Sequence, residues 1–243
     1  GNVAPNPMVG AVLVHRDRII GEGYHEKYGQ AHAEPNCIHS AIQAGYTDLL
    51  DKATLYVTLE PCAHFGKTPP CADLIIHHQI PRVVIGCRDP FPMVDGKGIE
   101  KLTDAGINIT AGILEEECKQ LNCRFFCFHQ HHRPYVILKW AETADGFIAP
   151  AKPVNGERLH ISNEYTNRLV HQWRSEEAAI LVGTNTAIAD NPALTTRLWP
   201  GNNPVRLVVD LEMKLPAELR LFDHTVPTIV FNTRQHEEQA NLI

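Results

Sequence analysis

The chain lacks the features that mark a membrane-spanning or exported protein. No apolar run approaches the roughly 18 residues needed to span a bilayer, and no signal-peptide pattern opens the sequence. An excess of positive charge is also missing, since 22 Lys and Arg residues stand against 28 Asp and Glu for a net charge of −6. This balance disfavours a broad nucleic-acid surface, which needs clustered Lys and Arg, but it allows a small anionic substrate held by a few basic residues.

A disulfide framework and a dinucleotide fingerprint are not recognisable either. The seven cysteines are an odd number without a signal sequence, which favours reduced thiols in the cytoplasm. No complete Gly-x-Gly-x-x-Gly occurs, so that motif predicts no dinucleotide site.

The composition is typical of a globular protein with two domains. The chain has 243 residues, of which 44% are hydrophobic and 21% are charged. A polar stretch at residues 129–134 ends in a proline, and we interpret it as a solvated linker that contains His129, His131 and His132. The predicted domains are therefore 1–131 and 132–243.

Apolar runs that alternate with helical patterns predict a layered α/β fold with a largely parallel sheet. A hairpin is predicted from the apolar runs 9–14 and 18–20, and a helix that ends near Gly45 is predicted after His32. Further elements of the first domain are predicted as strands at 55–59, 82–86 and 107–110 and helices at 71–79 and 97–105.

The second domain shows a similar pattern. Asp145-Gly146 indicates a turn, and Ser162 is the predicted N-cap of a helix over 163–175. Strands are predicted at 135–140, 179–183, 205–210 and 226–231, with a polar helical stretch after them.

One histidine and two cysteines form a candidate catalytic zinc site. His32, Cys62 and Cys71 offer three soft ligands and leave the fourth position open, which distinguishes a catalytic zinc from a structural one. Glu34 would move protons beside that position. The order His-x-Glu followed by Pro-Cys is that of the zinc deaminases.

The spacing of the two cysteines is longer than the two residues usual in zinc deaminases. Eight residues separate Cys62 from Cys71, and they include His64 and Lys67. Both side chains are candidates to meet a phosphate.

Two other functions fit part of this pattern. One is a zinc deaminase of a different base, including one that acts on nucleic acid, although the acidic charge and Lys67 speak against it. The other is a non-catalytic, zinc-stabilised module, which would need a fourth protein ligand such as His64.

Several motifs recur together along the chain. The first half contains Asn6-Pro7-x-Val9-Gly10, His32-Ala33-Glu34, Thr58-Leu59-Glu60-Pro61-Cys62 and Gly66-Lys67-Thr68-Pro69-Pro70-Cys71. The second half contains Leu138-Lys139, Asp145-Gly146, Trp173-Arg174-Ser175 and the run 189–195 followed by Arg197. With these motifs the chain resembles the bifunctional deaminase–reductase family of riboflavin biosynthesis.

The resemblance implies two consecutive reactions on small phosphorylated pyrimidines. A cytidine-deaminase-like three-layer α/β/α domain would deaminate the diaminopyrimidinone ribosylamino phosphate to the corresponding uracil. A dihydrofolate-reductase-like α/β domain would then reduce the ribosyl side chain with NADPH. The resemblance also implies a homo-oligomer. Compared with the family, the chain is expected to lack a first helix and the last part of the reductase domain.

The resemblance implies roles for particular residues. In the deaminase, His32, Cys62 and Cys71 would bind zinc, Glu34 would be the proton donor, and the substrate would contact Asn6, His64 and Lys67. In the reductase, the cofactor would contact Ala141, His160, Thr186 and Asp190, and the substrate would contact Arg158, Arg174, Leu194 and Arg197. His160 stands where the family has a tryptophan. Independently of the resemblance, arginine is the residue type that clamps a phosphate through two parallel hydrogen bonds.

Overall fold

The computed structural model describes residues 3–149 and 161–234. The chain divides into two compact units between Ile137 and Leu138. The sequence predicts a domain boundary between residues 131 and 132, a few residues before this division. That predicted boundary stays a prediction. Every helix in the described ranges is too short or too polar to cross a bilayer.

The first unit is built on a five-stranded sheet with the order β2-β1-β3-β4-β5. Its strands are β1 (Gly10–His15), β2 (Arg18–Tyr24), β3 (Thr54–Leu59), β4 (Arg82–Cys87) and β5 (Asn108–Ala111). The strands β3, β4 and β5 run parallel, whereas β1 pairs antiparallel with both β2 and β3. The predicted hairpin is confirmed. Its two turn residues, Arg16 and Asp17, have φ angles of 49° and 61°, which match the primed turns that suit hairpins.

Helices cover both faces of this sheet. They are α1 (Ala33–Gln43), α2 (Cys71–His77), α3 (Lys97–Asp104), α4 (Glu115–Leu121) and α5 (Cys123–His131), with a 3-10 helix at Thr47–Lys52. Residues of α1, α2 and α3 share one buried core with Val83 and Ile85 of β4. The neighbouring Gly86 points to the opposite face because side chains alternate along a strand. A Cβ there would lie 2.3 Å from the Cys118 sulfur of α4, so only glycine allows α4 this close. The result is the expected three-layer α/β/α arrangement.

The interpretation of residues 129–132 as a solvated linker is only partly right: His131 and His132 are exposed, but the stretch continues a helix up to His131. His129 and His131 belong to α5, which ends at His132 with a φ of 51°. The His129 ring lies 4.4 Å from the Phe125 ring and 5.2 Å from the Phe91 ring, centroid to centroid. His129 therefore packs against aromatic rings instead of lying in solvent.

The second unit contains a smaller, fully parallel sheet with the order β6-β7-β8. Its elements are α6 (Glu164–Glu176), β6 (Ala179–Gly183), α7 (Thr184–Asp190), β7 (Val205–Val209), a 3-10 helix at Arg220–Phe222, and β8 (Thr228–Phe231). The N-cap of α6 is Asn163 rather than the predicted Ser162, since the Asn163 side chain accepts a hydrogen bond from the Thr166 N–H at 3.0 Å.

The strand predicted at 135–140 is wrong. Residues 135–140 pair with none of the described strands, and Leu138 and Trp140 are 78% and 63% exposed. Apolar, β-branched residues favour a strand only where a neighbouring strand and a buried face receive them. The turn at Asp145-Gly146 is confirmed, because the Gly146 N–H donates to the Thr143 carbonyl at 2.9 Å. Residues 235–243 of the predicted polar helix lie outside the described residues.

A buried arginine holds the second unit together. Arg206 on β7 is fully buried and donates to the carbonyl of Arg220 at 2.8 Å, to the carbonyl of Val226 and to the carboxylate of Asp223 at 2.9 Å. These bonds fix the segment between the 3-10 helix and β8 against β7. The positive charge of Arg206 therefore has a structural role.

Candidate metal centre and active site

The candidate ligands meet where helices begin at one edge of the first sheet. Cys62 follows the carboxyl end of β3, His32 is the N-cap of α1, and Cys71 is the first residue of α2. The N–H of Ala72 donates to the Cys62 carbonyl at 3.1 Å, which ties α2 to the loop. Open α/β sheets bind ligands at the carboxyl ends of their strands.

The three ligand atoms have the spacing of a tetrahedral zinc site. His32 Nδ1 lies 3.7 Å from Cys62 Sγ and 3.3 Å from Cys71 Sγ, and all three atoms lie within 4.8 Å of one another. Zinc–sulfur bonds of about 2.3 Å and zinc–nitrogen bonds of about 2.0 Å at a tetrahedral angle place S and N about 3.6 Å apart. This donor set therefore fits the metal. Within residues 3–149 and 161–234 no other group of three such ligands occurs, and His64 does not join this one.

The two thiols differ in acidity. The pKa of Cys62 is lowered to about 4, chiefly by a hydrogen bond from the Cys71 side chain. The backbone N–H of Cys71, 3.3 Å from the Cys62 sulfur, makes a smaller contribution in the same direction. The Cys62 sulfur and burial raise the pKa of Cys71. A cation bound between the two sulfurs would favour the ionised form of both, because a coordinated thiol loses its proton outright.

Glu34 lies beside the ligands without being one of them. It occupies the first turn of α1 and is 3% exposed. Burial raises the pKa of its carboxyl to about 7. A carboxyl group with that pKa can both take up and release a proton near neutral pH, which is what a general acid–base requires.

Asn6 is held in place by a buried histidine, His25. The His25 Nδ1 lies 3.0 Å from the carbonyl of Ala31, which can only accept, so Nδ1 carries the proton. Nε2 then accepts from the Asn6 amide at 3.2 Å. The rings of His25 and His32 are 5.3 Å apart. His25 thus connects Asn6 to the carbonyl of Ala31, the residue before the candidate ligand His32.

In the long loop before α2, His64 and Lys67 contact different aromatic side chains. The His64 ring lies 6.0 Å from the Phe91 ring, and its Nδ1 is buried without a hydrogen-bond partner among the described residues. The ammonium of Lys67 lies 4.0 Å above the ring of Tyr28. The two predicted phosphate contacts therefore have different aromatic neighbours, and their role stays a prediction.

In the second unit, two of the predicted cofactor residues lie on α7, the helix that directly follows β6. Thr186 and Asp190 are four residues apart on α7, and therefore on one face of that helix. Ala141 is half-buried in the segment before the turn at 145–146. His160 and Arg158 lie outside the described residues.

The predicted reductase substrate residues include two arginines that come together. Arg174 Nη1 donates to the carbonyl of Thr195 at 3.0 Å, and Arg197 Nη1 donates to the Thr195 hydroxyl at 2.9 Å. Leu194 is 5% exposed and packs into the core of the unit. The Leu194 side chain is therefore part of the core, whereas the guanidinium groups of Arg174 and Arg197 both donate hydrogen bonds to Thr195.

Two protein families match this chain. Residues 2–87 match the family described as "Cytidine and deoxycytidylate deaminase zinc-binding region", and residues 134–242 match "RibD C-terminal domain". The riboflavin biosynthesis protein RibD of Aquifex aeolicus is 44% identical over 100% of this chain and 66% of its own length. The RibD protein of Escherichia coli is 37% identical over 97% of this chain and 65% of its own length. The chain belongs to the RibD family.

Solved RibD structures share this fold. A "diaminohydroxyphosphoribosylaminopyrimidine deaminase/ 5-amino-6-(5-phosphoribosylamino)uracil reductase" of Thermotoga maritima superposes with a TM-score of 0.87 at 45% identity, over 98% of this chain and 66% of that chain. A RibD structure of Acinetobacter baumannii gives 0.85 at 37% identity, over 96% and 65%. The chain thus spans about two thirds of the length of these relatives. Its units have the cytidine-deaminase-like and dihydrofolate-reductase-like folds expected of RibD proteins.

Sequence reasoning did not single out three buried residues that lie beside the predicted site residues. They are His25, His171 on α6, and Glu60, which is 3% exposed. Glu60 stands in the motif Thr58–Cys62, and only its place directly before Pro61-Cys62 hinted at a role. Nothing in the sequence sets His25 and His171 apart among 14 histidines.

Glu60 fixes the chain that enters Cys62. One carboxylate oxygen accepts from the N–H groups of Gly98 and Ile99 at 3.0 and 3.2 Å, and the other accepts from Gly96 and Asp89 at 3.0 and 3.3 Å. These N–H groups include the first turn of α3, whose helix dipole favours a negative charge. A Cβ at Gly98 would lie 1.9 Å from the Pro61 carbonyl, so α3 touches this corner directly.

We expect Glu60→Gln to destabilise the first unit. The new amide group would face two N–H donors and leave them unsatisfied, at a cost of about 2–4 kcal/mol in the free energy of unfolding. Urea unfolding measures this change. Glu100→Gln, on the exposed side of α3, is the matched control and should change stability by less than about 0.5 kcal/mol. Equal stability of the two variants would contradict the anchoring role of Glu60.

Proposed function

We propose that this chain catalyses the hydrolytic deamination of the diaminopyrimidinone ribosylamino phosphate of riboflavin biosynthesis, in residues 1–131. The convergence of His32, Cys62 and Cys71 beside the buried Glu34 carries this proposal. It is supported by the RibD family membership and by the zinc-binding region matched in residues 2–87.

His32 Nδ1 and the two sulfurs would hold the zinc ion, as their donor types and spacing fit. When bound, zinc supplies a Lewis acid that lowers the pKa of a water molecule from about 15.7 toward about 7. The N–H of Cys71 donates to the Cys62 sulfur at 3.3 Å and so helps to hold a thiolate in position.

Glu34 would move the protons of the reaction. Its carboxylate would take a proton from the attacking water and deliver protons to the ring nitrogen and to the departing amine, which leaves as ammonia. The ring carbon thereby exchanges its amino group for a carbonyl oxygen. Burial suits this role, because the raised pKa lets Glu34 alternate between its two protonation states.

The remaining deaminase residues would bind the substrate. Asn6 presents a side chain fixed by His25, and the unpartnered Nδ1 of His64 can receive a polar group of the substrate. Lys67 would meet the phosphate, after leaving or sharing its contact with Tyr28. A positively charged group on a mobile stem is suited to a phosphate as a point charge.

The second reaction of the proposal is the NADPH-dependent reduction of the ribosyl side chain, in residues 132–243. Ala141, His160, Thr186 and Asp190 would contact the cofactor. Arg158, Arg174, Leu194 and Arg197 would contact the substrate. Support comes from the RibD C-terminal domain matched in residues 134–242 and from the exposed positions of Thr186 and Asp190 on α7. Bound NADPH supplies the hydride, and the arginines would orient the phosphorylated substrate.

We also infer a cytoplasmic homo-oligomer that acts on small phosphorylated pyrimidines and not on nucleic acid. The family membership supports the choice of substrate, and the net charge of −6 speaks against a phosphate-backbone partner.

Glu34→Gln should stop ammonia release from the pyrimidine substrate. Because glutamine cannot carry the proton, the rate should fall by at least about 10²–10⁴-fold, while the zinc content stays at the wild-type level. An enzymatic ammonia assay and metal analysis on the same sample measure both. Glu117→Gln, on the exposed side of α4, is the control and should keep full activity. Unchanged ammonia release in the Glu34 variant would rule out this role.

The reductase proposal predicts that NADPH is oxidised only with the deaminated product. Arg197→Gln should raise KM for this product by about tenfold or more, since it removes a charged hydrogen bond to an anion. Arg168→Gln, on the exposed side of α6, should leave KM unchanged. NADPH absorbance is the readout, and a wild-type chain that oxidises none with the deaminated product would refute this second activity.

A further inference from the structure

A short turn lies directly before the candidate ligand His32. The N–H of Gln30 donates to the carbonyl of Lys27 at 3.1 Å, so Tyr28 and Gly29 are the two central residues of the turn. Gly29 has a φ of 80°, a conformation that favours glycine at this position of a turn. The turn therefore fixes the backbone that carries the Tyr28 ring.

The loop between the two cysteine ligands reaches this turn through Lys67. The Lys67 ammonium lies 4.0 Å from the centre of the Tyr28 ring. A Cβ at Gly29 would lie 3.8 Å from both Cδ and Nζ of Lys67, so the end of the lysine side chain lies against the turn. The contact thus connects the segment that enters His32 with the loop that enters Cys71.

The Lys67 ammonium still has donors for a ligand. Lys67 is exposed, and among residues 3–149 and 161–234 no carboxylate forms an ion pair with it. A lysine ammonium carries three N–H donors, whereas an aromatic ring contacts it from one side only. An anion can therefore bind Lys67 while the contact with Tyr28 persists.

A lysine that is held before the ligand arrives binds it more tightly. A lysine side chain has many rotamers and loses this freedom when it contacts a ligand. Ordering one such side chain lowers affinity by about three- to tenfold. The Tyr28 ring removes part of this loss, because it already holds the Lys67 ammonium in the unliganded protein.

We propose that Tyr28 is a positioning residue of the deaminase site, whose ring holds the Lys67 ammonium in place for the phosphate of the substrate. The identity of that phosphate rests on the proposed deamination, whereas the position of the ammonium follows from its contact with the ring alone. The phosphate would bind the open side of Lys67 while the ring stays on the other side. Tyr28 thereby acts on substrate affinity and not on the proton transfers of Glu34.

The position of the ammonium can be tested without turnover. The zinc-loaded 243-residue chain, labelled with ¹³C-lysine, is titrated with ribose 5-phosphate. Because Lys67 lies above an aromatic ring, we expect its ε-CH₂ protons upfield of those of the other lysines and a saturable shift on titration. Lys67→Arg identifies the signal by its loss. A Lys67 signal among those of the other lysines, or one that does not respond to ribose 5-phosphate, would overturn the proposal.

Substitutions at Tyr28 separate positioning from folding. Tyr28→Leu should raise KM for the phosphorylated pyrimidine by about three- to tenfold and leave kcat within about twofold, as expected when binding is lost equally in the ground and transition states. Tyr28→Phe keeps the ring and should behave as the wild type. With the dephosphorylated substrate, Tyr28→Leu and the wild type should have equal KM. Tyr24→Leu, exposed at the end of β2, is the control and should keep the wild-type KM.

The outcomes distinguish this role from the deaminase proposal. Ammonia release with equal KM in Tyr28→Leu and the wild type would overturn the role of Tyr28 and leave the deaminase standing. A loss that is equal for the phosphorylated and dephosphorylated substrates would indicate a structural role and also overturn it. An upfield Lys67 signal that responds to ribose 5-phosphate and that Tyr28→Leu abolishes, without any ammonia release, would support the positioning role and contradict the deaminase.

Discussion

The first unit depends on one constraint: two helices begin at the same edge of the sheet, with His32 and Cys71 at their starts and Cys62 in the loop after β3. Only this convergence brings His32 Nδ1 within 3.3 and 3.7 Å of the two sulfurs, and it places Glu34 in the first turn of α1. Neighbouring residues support it. Glu60 binds the start of α3 to the chain that enters Cys62, and His25 holds Asn6 and the carbonyl before His32.

Much of this unit can be predicted from sequence because its signals are local. Apolar periodicity locates the strands, and Gly45 ends α1 with a φ of 83°. The order His-x-Glu followed by Pro-Cys indicates the chemistry of a zinc deaminase. The long-range contacts are not local. The four N–H groups that bind the Glu60 carboxylate come from residues 89–99. No motif in that stretch indicates that its N–H groups bind a carboxylate. A histidine such as His25 becomes informative only when its two partners are known.

The wrong predictions have the same physical cause, because they concern segments whose structure depends on long-range contacts. Residues 135–140 have strand composition but pair with no described strand. Residues 129–132 look polar, although the His129 ring packs at steep angles against the rings of Phe125 and Phe91. The N-cap of α6 differs by one residue because Ser162 and Asn163 are both good caps, and backbone geometry selects between them. In the second unit, Arg206 and Arg174 look alike in sequence. Burial separates them: Arg206 is fully buried and donates to carbonyls and a carboxylate, whereas Arg174 is half-buried and donates to the carbonyl of Thr195.

The central claim is a zinc ion held by three protein ligands with one position open to solvent. X-ray absorption spectroscopy of the zinc-loaded chain measures this coordination directly. The account predicts two sulfurs at about 2.3 Å, one imidazole nitrogen at about 2.0–2.1 Å and one oxygen that is not from a side chain. Two imidazole nitrogens with two sulfurs would indicate a closed, structural site that recruits His64, and would contradict the account.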